Sequence, residues 1–163
     1  MSFVIQRADP AEIPACAAVI RESFGTVAEE FGFTPENAPR FTAFAMSEER
    51  LRYQNSVEHR PMFTAHDGER IIGYVSLFPG EDGSCELCSL AVLPAFRHRG
   101  IGRALLEHAE EEAMARGYIR MTLSLVDENL RLRTWYESLG YIHTRAATYN
   151  FFPFTCGTME KDL

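Results

Sequence analysis

Three arginines, a histidine and a pair of glycines fall together in RHRGIGRALL, residues 97–106. The apolar spacing of a helix begins at once, with Ile101, Leu105, Ala109 and Ala113 on one stripe. A helix N-terminus leaves about four backbone N–H groups unpaired and carries roughly half a positive charge, and anions bind there. Gly100 and Gly102 remove the Cβ atoms that would hold a ligand off the backbone. Arg97, His98, Arg99 and Arg103 add positive charge around the same point. The stretch reads as an anion site shaped for a pyrophosphate. Three other readings compete with it. The dinucleotide fingerprint G-x-G-x-x-G needs a third glycine where Leu105 stands, and a place after the first strand of a βαβ unit. The Walker A pattern needs Gly-Lys-Ser/Thr, which is absent. A helix start that is merely basic needs no ligand.

The elements that must position this turn follow from the hydrophobic periods. SFVIQRA reads as a first strand. Asp9 offers an N-cap, Pro10 suits the first helical position, and Glu12 completes a capping box. A stripe of Ile13, Cys16, Ala17 and Ile20 carries the helix to Phe24. Residues 25–54 read as short helices with loops, with starts at Thr34–Pro35 and Ser47–Glu48. From residue 62 the period changes: MFTAH, RIIGYVSLF and CELCSLAVL read as strands joined by hairpin turns. A helix from Gly100 to Arg116, a strand IRMTLSLV, a helix ENLRLRTWYESLG and two closing strands complete the chain. Hairpins followed by a crossover helix require a mixed sheet.

Composition limits the function classes. At 163 residues the chain reads as one domain, 1–163. Its formal net charge of −7 repels nucleic acid and anionic membrane, so the basic cluster is local. No apolar run approaches the roughly 20 residues of a membrane helix. The start has no signal-peptide pattern. The expectation is a reducing cytoplasm with free thiols at Cys16, Cys85, Cys88 and Cys156. Cys85 and Cys88 form a C-x-x-C, but positions i and i+3 of a strand face opposite sides and no second pair completes a metal site. They read as structural thiols, and no metal is expected.

LAVLPAFRHRGIGRALLEHAEEEA, followed by DENLRLRTWYESLGY, resembles the GNAT superfamily of acetyl-CoA-dependent N-acetyltransferases. The family signature Arg/Gln-x-x-Gly-x-Gly/Ala corresponds here to Arg97, Gly100 and Gly102. It follows a strand ending Val-x-Pro, here Val92 and Pro94. The family's downstream Asn, Tyr and Gly-Phe are matched by Asn129, Tyr136 and Gly140–Tyr141. Tyr141 replaces the usual Phe, and Leu132 a commoner small residue. The resemblance covers residues 62–163 well and 1–61 only as a strand followed by helices. It implies an α+β fold: a central mixed, mostly antiparallel sheet of about seven strands flanked by helices, in the order β-α-α-β-β-β-α-β-α-β-β.

It also implies roles. Acetyl-CoA would be the co-substrate and an amine the acceptor, with a small molecule favoured over peptide or protein. The motif opens at Arg97, and backbone N–H groups of His98, Arg99, Gly100, Ile101, Gly102 and Arg103 would hold the coenzyme pyrophosphate. The strand at Leu90, Ala91 and Val92 would pair with the pantetheine amides like an added strand. It would splay from the strand at 119–126, leaving the thioester in the gap. Asn129 would bond the pantetheine arm.

Acetyl transfer to an amine has two proton problems. An amine of pKa about 10.4 is disfavoured as free base at pH 7 by roughly 4–5 kcal/mol, and the leaving thiolate gains from a proton. A positioned acid or base contributes roughly 10²–10⁴-fold. Tyr136, seven residues past Asn129 and so on the same helix face, is the candidate acid and would touch the cofactor; its bland alternative is packing beside Trp135. Glu86, a carboxylate in an apolar strand, is the candidate base; some family members carry a glutamate there and others use a water chain. By simple alternation it shares a face with Cys88, Leu90 and Val92. His59, His66, His108 and His143 show no spacing that singles one out, and His108 reads as a surface residue. The acceptor should meet residues 24–60 and the loop near Phe152 and Pro153; the phenylalanines there read first as core and second as an apolar wall for it, with Glu29 and Glu30 attracting a cation. A homodimer is left open. The rival readings are a non-catalytic acyl-CoA-binding or sensor domain, and an adaptor whose basic helix start binds an acidic partner.

Overall fold

The computed structural model describes residues 2–163. Strand β1 (Val4–Arg7) leads into a helical segment whose first turn is 3₁₀ and then α1 (Ile13–Phe31). The expected capping box is present: Asp9 Oδ1 accepts from Ala11 N–H at 2.8 Å, and Asp9 N–H donates to Glu12 Oε1 at 2.8 Å. The helix runs seven residues past Phe24, to Phe31. Gly25 does not stop it, because an interior glycine costs only about 1 kcal/mol, and the apolar stripe resumes at Ala28. Gly32, at φ +73°, ends it, and Phe33 N–H closes on Ala28 C=O at 2.8 Å.

Thr34–Pro35 does not start a helix. Thr34 and Asn37 exchange side-chain and backbone hydrogen bonds as a capping pair would, and Ala38 N–H reaches Thr34 C=O at 2.8 Å. Pro39 then disfavours α geometry at Ala38, so a single turn forms and stops. A one-turn α2 (Thr42–Ala45) follows, and α3 (Glu48–Ser56) starts at Ser47 as its spacing predicts, Ser47 Oγ accepting from Arg50 N–H.

The remaining elements are β2 (Met62–Asp67), β3 (Arg70–Pro79), β4 (Ser84–Val92), α4 (Ile101–Ala115), β5 (Arg120–Val126), α5 (Leu130–Ser138), β6 (Ile142–Thr148) and β7 (Thr155–Asp162). They form one seven-stranded sheet in the order β1-β2-β3-β4-β5-β7-β6. Every neighbouring pair is antiparallel except β4 with β5. The parallel pair is the one joined through α4, as a crossover requires.

Helices α1 and α4 pack on opposite faces of the β3–β4 region. A Cβ on Gly73 would strike Leu105 of α4, while the next residue, Tyr74, faces the side of Cys16 on α1. Tyr74, Leu77, Leu105, Met121 and Met159 are fully buried between these layers, each such side chain stabilising by about 1.5–3 kcal/mol. A second, smaller core is aromatic. Phe33 packs on Phe41 (5.1 Å between ring centroids) and Phe154 (4.9 Å), and Phe152 stacks on Phe154 (4.6 Å). It ties the α1–α2 segment to the β6–β7 loop over Val126, at the end of β5.

Candidate active site

The parallel ladder between β4 and β5 lasts three residue pairs: Ser84 with Arg120, Cys85 with Met121, and Glu86 with Thr122. Beyond Glu86 the two strands part, while β5 stays paired with β7 along its whole length. A wedge therefore opens toward the C-terminal ends of β4 and β5, with Glu86 at its apex. Leu93 N–H donates to Ile72 C=O of β3 at 2.9 Å. Backbone groups alternate sides along a strand, so those of Val92 turn into the wedge and those of Ala91 toward β3.

Strand β4 carries a bulge that simple alternation did not anticipate. Ser76 pairs with Cys88 and Tyr74 with Ala91, so Ser89 and Leu90 together oppose the single residue Val75. Ser89 sits at φ +53°, a left-handed conformation for a non-glycine. An extra residue exchanges the faces. Glu86 and Cys88 share theirs with Ala91, on the α1 side, while Val92 lies on the α4 side near Gly102. The predicted common face for Glu86, Cys88, Leu90 and Val92 is corrected accordingly.

At the mouth of the wedge, β4 passes through a 3₁₀ turn at Pro94–Phe96 into the basic stretch. His98 and Gly100 adopt φ +62° and +82°, which folds the chain back on itself before α4. No side chain caps α4, and the first bond closing its opening turn is Ala104 N–H to Gly100 C=O at 3.0 Å. The amides of Ile101, Gly102 and Arg103 precede that bond. A Cβ on Gly100 would meet nothing within 4 Å, so that side of the turn is open; one on Gly102 would sit 3.7–3.8 Å from Val92 and Trp135. A turn with open amides and positive φ values is an anion cradle, and it fits the phosphates of a coenzyme.

Residues 26–141 match the acetyltransferase (GNAT) family. The chain belongs to that family. It is 32% identical over 108 residues to an uncharacterised N-acetyltransferase of Mycobacterium tuberculosis H37Rv, covering 66% of this chain and 69% of that protein. It is 30% identical over 105 residues to the [ribosomal protein bS18]-alanine N-acetyltransferase of Escherichia coli K12, covering 58% of this chain and 70% of that enzyme. In fold it resembles the PaiA N-acetyltransferase of Thermoplasma acidophilum, solved in complex with coenzyme A: TM-score 0.81, 21% identity, 100% of both chains covered. The protein is a GNAT-type N-acetyltransferase, an acyltransferase.

In this GNAT chain the Arg97 side chain turns to the protein. Its guanidinium donates to Thr26 Oγ1 at 3.0 Å, Ser23 C=O at 3.0 Å and Ser23 Oγ at 3.2 Å, all on α1. Its amide donates to Pro94 C=O at 3.3 Å. Arg103 pairs with Glu107 at 2.8 Å on the exposed face of α4. Asn129 is buried and caps α5, its Oδ1 accepting from Leu132 N–H at 3.3 Å.

Tyr136 is buried, edge-on to Trp135 (4.9 Å) and Tyr141 (5.5 Å). Burial pushes its phenol well above the ordinary value, so the hydroxyl keeps its proton. Glu86 is half-buried, and desolvation raises its carboxyl above the usual range while the Arg60 guanidinium pulls it back. Cys88, beside it, is pushed up to about 12, chiefly by burial, and stays a thiol. All four cysteines are free. Among the described residues no group of three or more His, Cys, Asp or Glu could hold a metal ion, and no helix is long and apolar enough to cross a membrane.

Phe33 and Phe41 are buried core residues, the first of their two readings. Several other placements differ from the sequence reading. Glu30 is paired with Arg131 at 2.8 Å and offers no free charge. His108 is half-buried, its ring 4.7 Å from that of Phe63. His143 Nε2 lies 2.6 Å from Asp127 Oδ1, a pair no sequence spacing indicates. Arg60 was also missed. Its only signal is a charge immediately before an apolar strand. In the fold its guanidinium lies 3.8 Å from the centroid of Phe78, the residue opposite Glu86.

Proposed function

We propose that this enzyme moves an acetyl group from acetyl-CoA to a primary amine by direct attack in a ternary complex, with a small molecule as the favoured acceptor. The observation that carries the reading is the place of Glu86: the last residue of β4 to pair with β5, it stands where the two strands part. The open turn before α4 stands at the mouth of the same wedge, and Trp135, the neighbour of the buried Tyr136 on α5, comes against that turn at Gly102. Acetyl-CoA supplies the activated acyl group and the phosphates that bring it to the cradle. The amides of His98 to Arg103 bind those phosphates, with Leu90, Ala91 and Val92 lining the pantetheine arm through the free backbone edge at Val92. The Asn129 oxygen is used in the helix cap, so its NH₂ is the group left for the arm. Arg97 acts at one remove, holding the turn against α1.

Glu86 receives the proton that the amine must shed, directly or through water. A carboxyl with a raised pKa is a better base for an ammonium, because the mismatch in basicity is smaller. Tyr136 holds its proton at Oη and gives it to the departing thiolate. The aromatic contact between the α1–α2 segment and the β6–β7 loop narrows the acceptor side, which supports a small amine. Free thiols support a cytoplasmic setting, and the chain is read as one GNAT domain, 1–163.

A screen of amines, polyamines, amino acids, aminoglycosides and an alanine-terminated peptide for thiol release from acetyl-CoA tests the reading. Tyr136→Phe should lower kcat about 10²-fold with little change in KM for acetyl-CoA. Tight coenzyme A binding without turnover of any amine would favour an acyl-CoA sensor instead.

A further inference from the structure

We infer that Arg60 is a positioning residue that supplies the counter-charge for Glu86 at the apex of the wedge. The inference rests on the reading of Glu86 as the base. Arg60 is held from several directions. Its N–H donates to Gln54 C=O at 3.0 Å, its guanidinium stacks on Phe78, and one nitrogen reaches Cys88 Sγ at 3.6 Å. Phe78 is the cross-strand partner of Glu86, and Cys88 is its next neighbour on the same face. The cation thus rests on both side chains that flank the carboxylate. Its side chain is 14% exposed, and its Nε is buried with no hydrogen-bond partner among the described residues. A buried donor left unpaired costs about 1–3 kcal/mol, so a residue kept in that state calls for an explanation.

The surrounding groups make Arg60 the effective cation. Strand β3 brings Phe78 and the buried phenol of Tyr74; β4 brings Cys88; α1 brings Cys16, also pushed up to about 12 by burial. Strand β5 brings Thr122 and, two pairs along, Arg120, which is bonded to Asp162 at 3.4 Å. Beyond it β7 brings Glu160, opposite Thr122. The segment before β2 brings Glu58, His59 and Arg60, with Glu58 bridging Arg60 at 3.2 Å. Arg120 is already paired. Arg60 therefore offsets the burial of Glu86, while Glu58 draws off part of its charge.

The test is a pair of titrations on the full chain: the Glu86 side-chain carboxyl by carbon NMR, and the acid limb of kcat for the best amine found by thiol release. Arg60→Met should move both midpoints up by about one pH unit or more, and Arg60→Lys should restore most of the shift. Glu58→Gln should move both down. Opposite signs from neighbouring residues cannot come from general damage to the fold. An NMR midpoint unmoved by Arg60→Met overturns the inference. An NMR midpoint that moves while the acid limb stays put leaves Arg60 coupled to Glu86 but overturns Glu86 as the base. If Arg60→Met does not fold, Glu58→Gln decides alone: a midpoint that stays or rises sinks the inference.

Discussion

Replacing Arg97 by alanine separates two uses of the same residue. If its guanidinium faced the phosphates, the loss would fall on cofactor affinity. The structure instead directs it to three acceptors on α1, at 3.0, 3.0 and 3.2 Å. Hydrogen bonds to a charged group contribute about 1.5–3 kcal/mol each, but three on one head group share a single desolvation and do not add. Arg97 is half-buried, and burial already lowers its pKa, so its removal also relieves some cost. A net loss of about 2 kcal/mol follows. For a chain of this length each kcal/mol lowers Tm by about 2–4 °C, so the ligand-free variant should melt about 4–8 °C lower. Calorimetry with coenzyme A at two salt concentrations should then show a modest loss of affinity and an unchanged salt dependence, because no phosphate contact has gone. Arg97→Lys should recover little, since one ammonium cannot reproduce a planar fork bridging Thr26 and Ser23. An unchanged ligand-free Tm, with binding weakened tenfold and its salt dependence reduced, would refute this account.

Other outcomes follow from single contacts. Glu86→Gln should cost activity yet raise Tm at pH 7–8. The folded protein binds this proton more tightly than the unfolded chain, so stability from this group falls as pH rises through the raised pKa, and the gain should vanish below about pH 4. Gly102→Ala should fold well and gain up to about 1 kcal/mol by urea melts, because its Cβ would find ordinary contacts at 3.7–3.8 Å and alanine suits a helix better. Gly157→Ala should lose about 1–3 kcal/mol, since a Cβ there collides with Asp127 Oδ1 and disturbs its pair with His143.

Patterns of near neighbours were legible along the chain. The capping box at Asp9, the Ser47 cap, the three strands from Met62 to Val92 and the basic glycine turn all declare themselves within a few residues. So did the parting of β4 from β5, which the resemblance implied. The errors came where a distant partner or a one-residue irregularity intervened. Gly25 was tolerated inside α1 because Ala28 beyond it is buried. Pro39 stopped the turn at Thr34 before it could grow.

The faces of β4 show the limit most clearly. Alternation is a local rule, and from it Glu86 and Val92 had to agree. The bulge at Ser89–Leu90 exists only in the pairing of β4 with β3, so no pattern within β4 could reveal it. The same holds for Arg97, whose type and place mark the basic glycine turn but whose guanidinium binds residues more than seventy positions earlier. Sequence alone determined the basic glycine turn and the elements on either side of it, because charge, missing Cβ atoms and helix starts are properties of neighbours. Tertiary structure decided which way each points and what stands beside it. Those choices depend on contacts between strands and helices far apart in the chain, and burial gives them their energy.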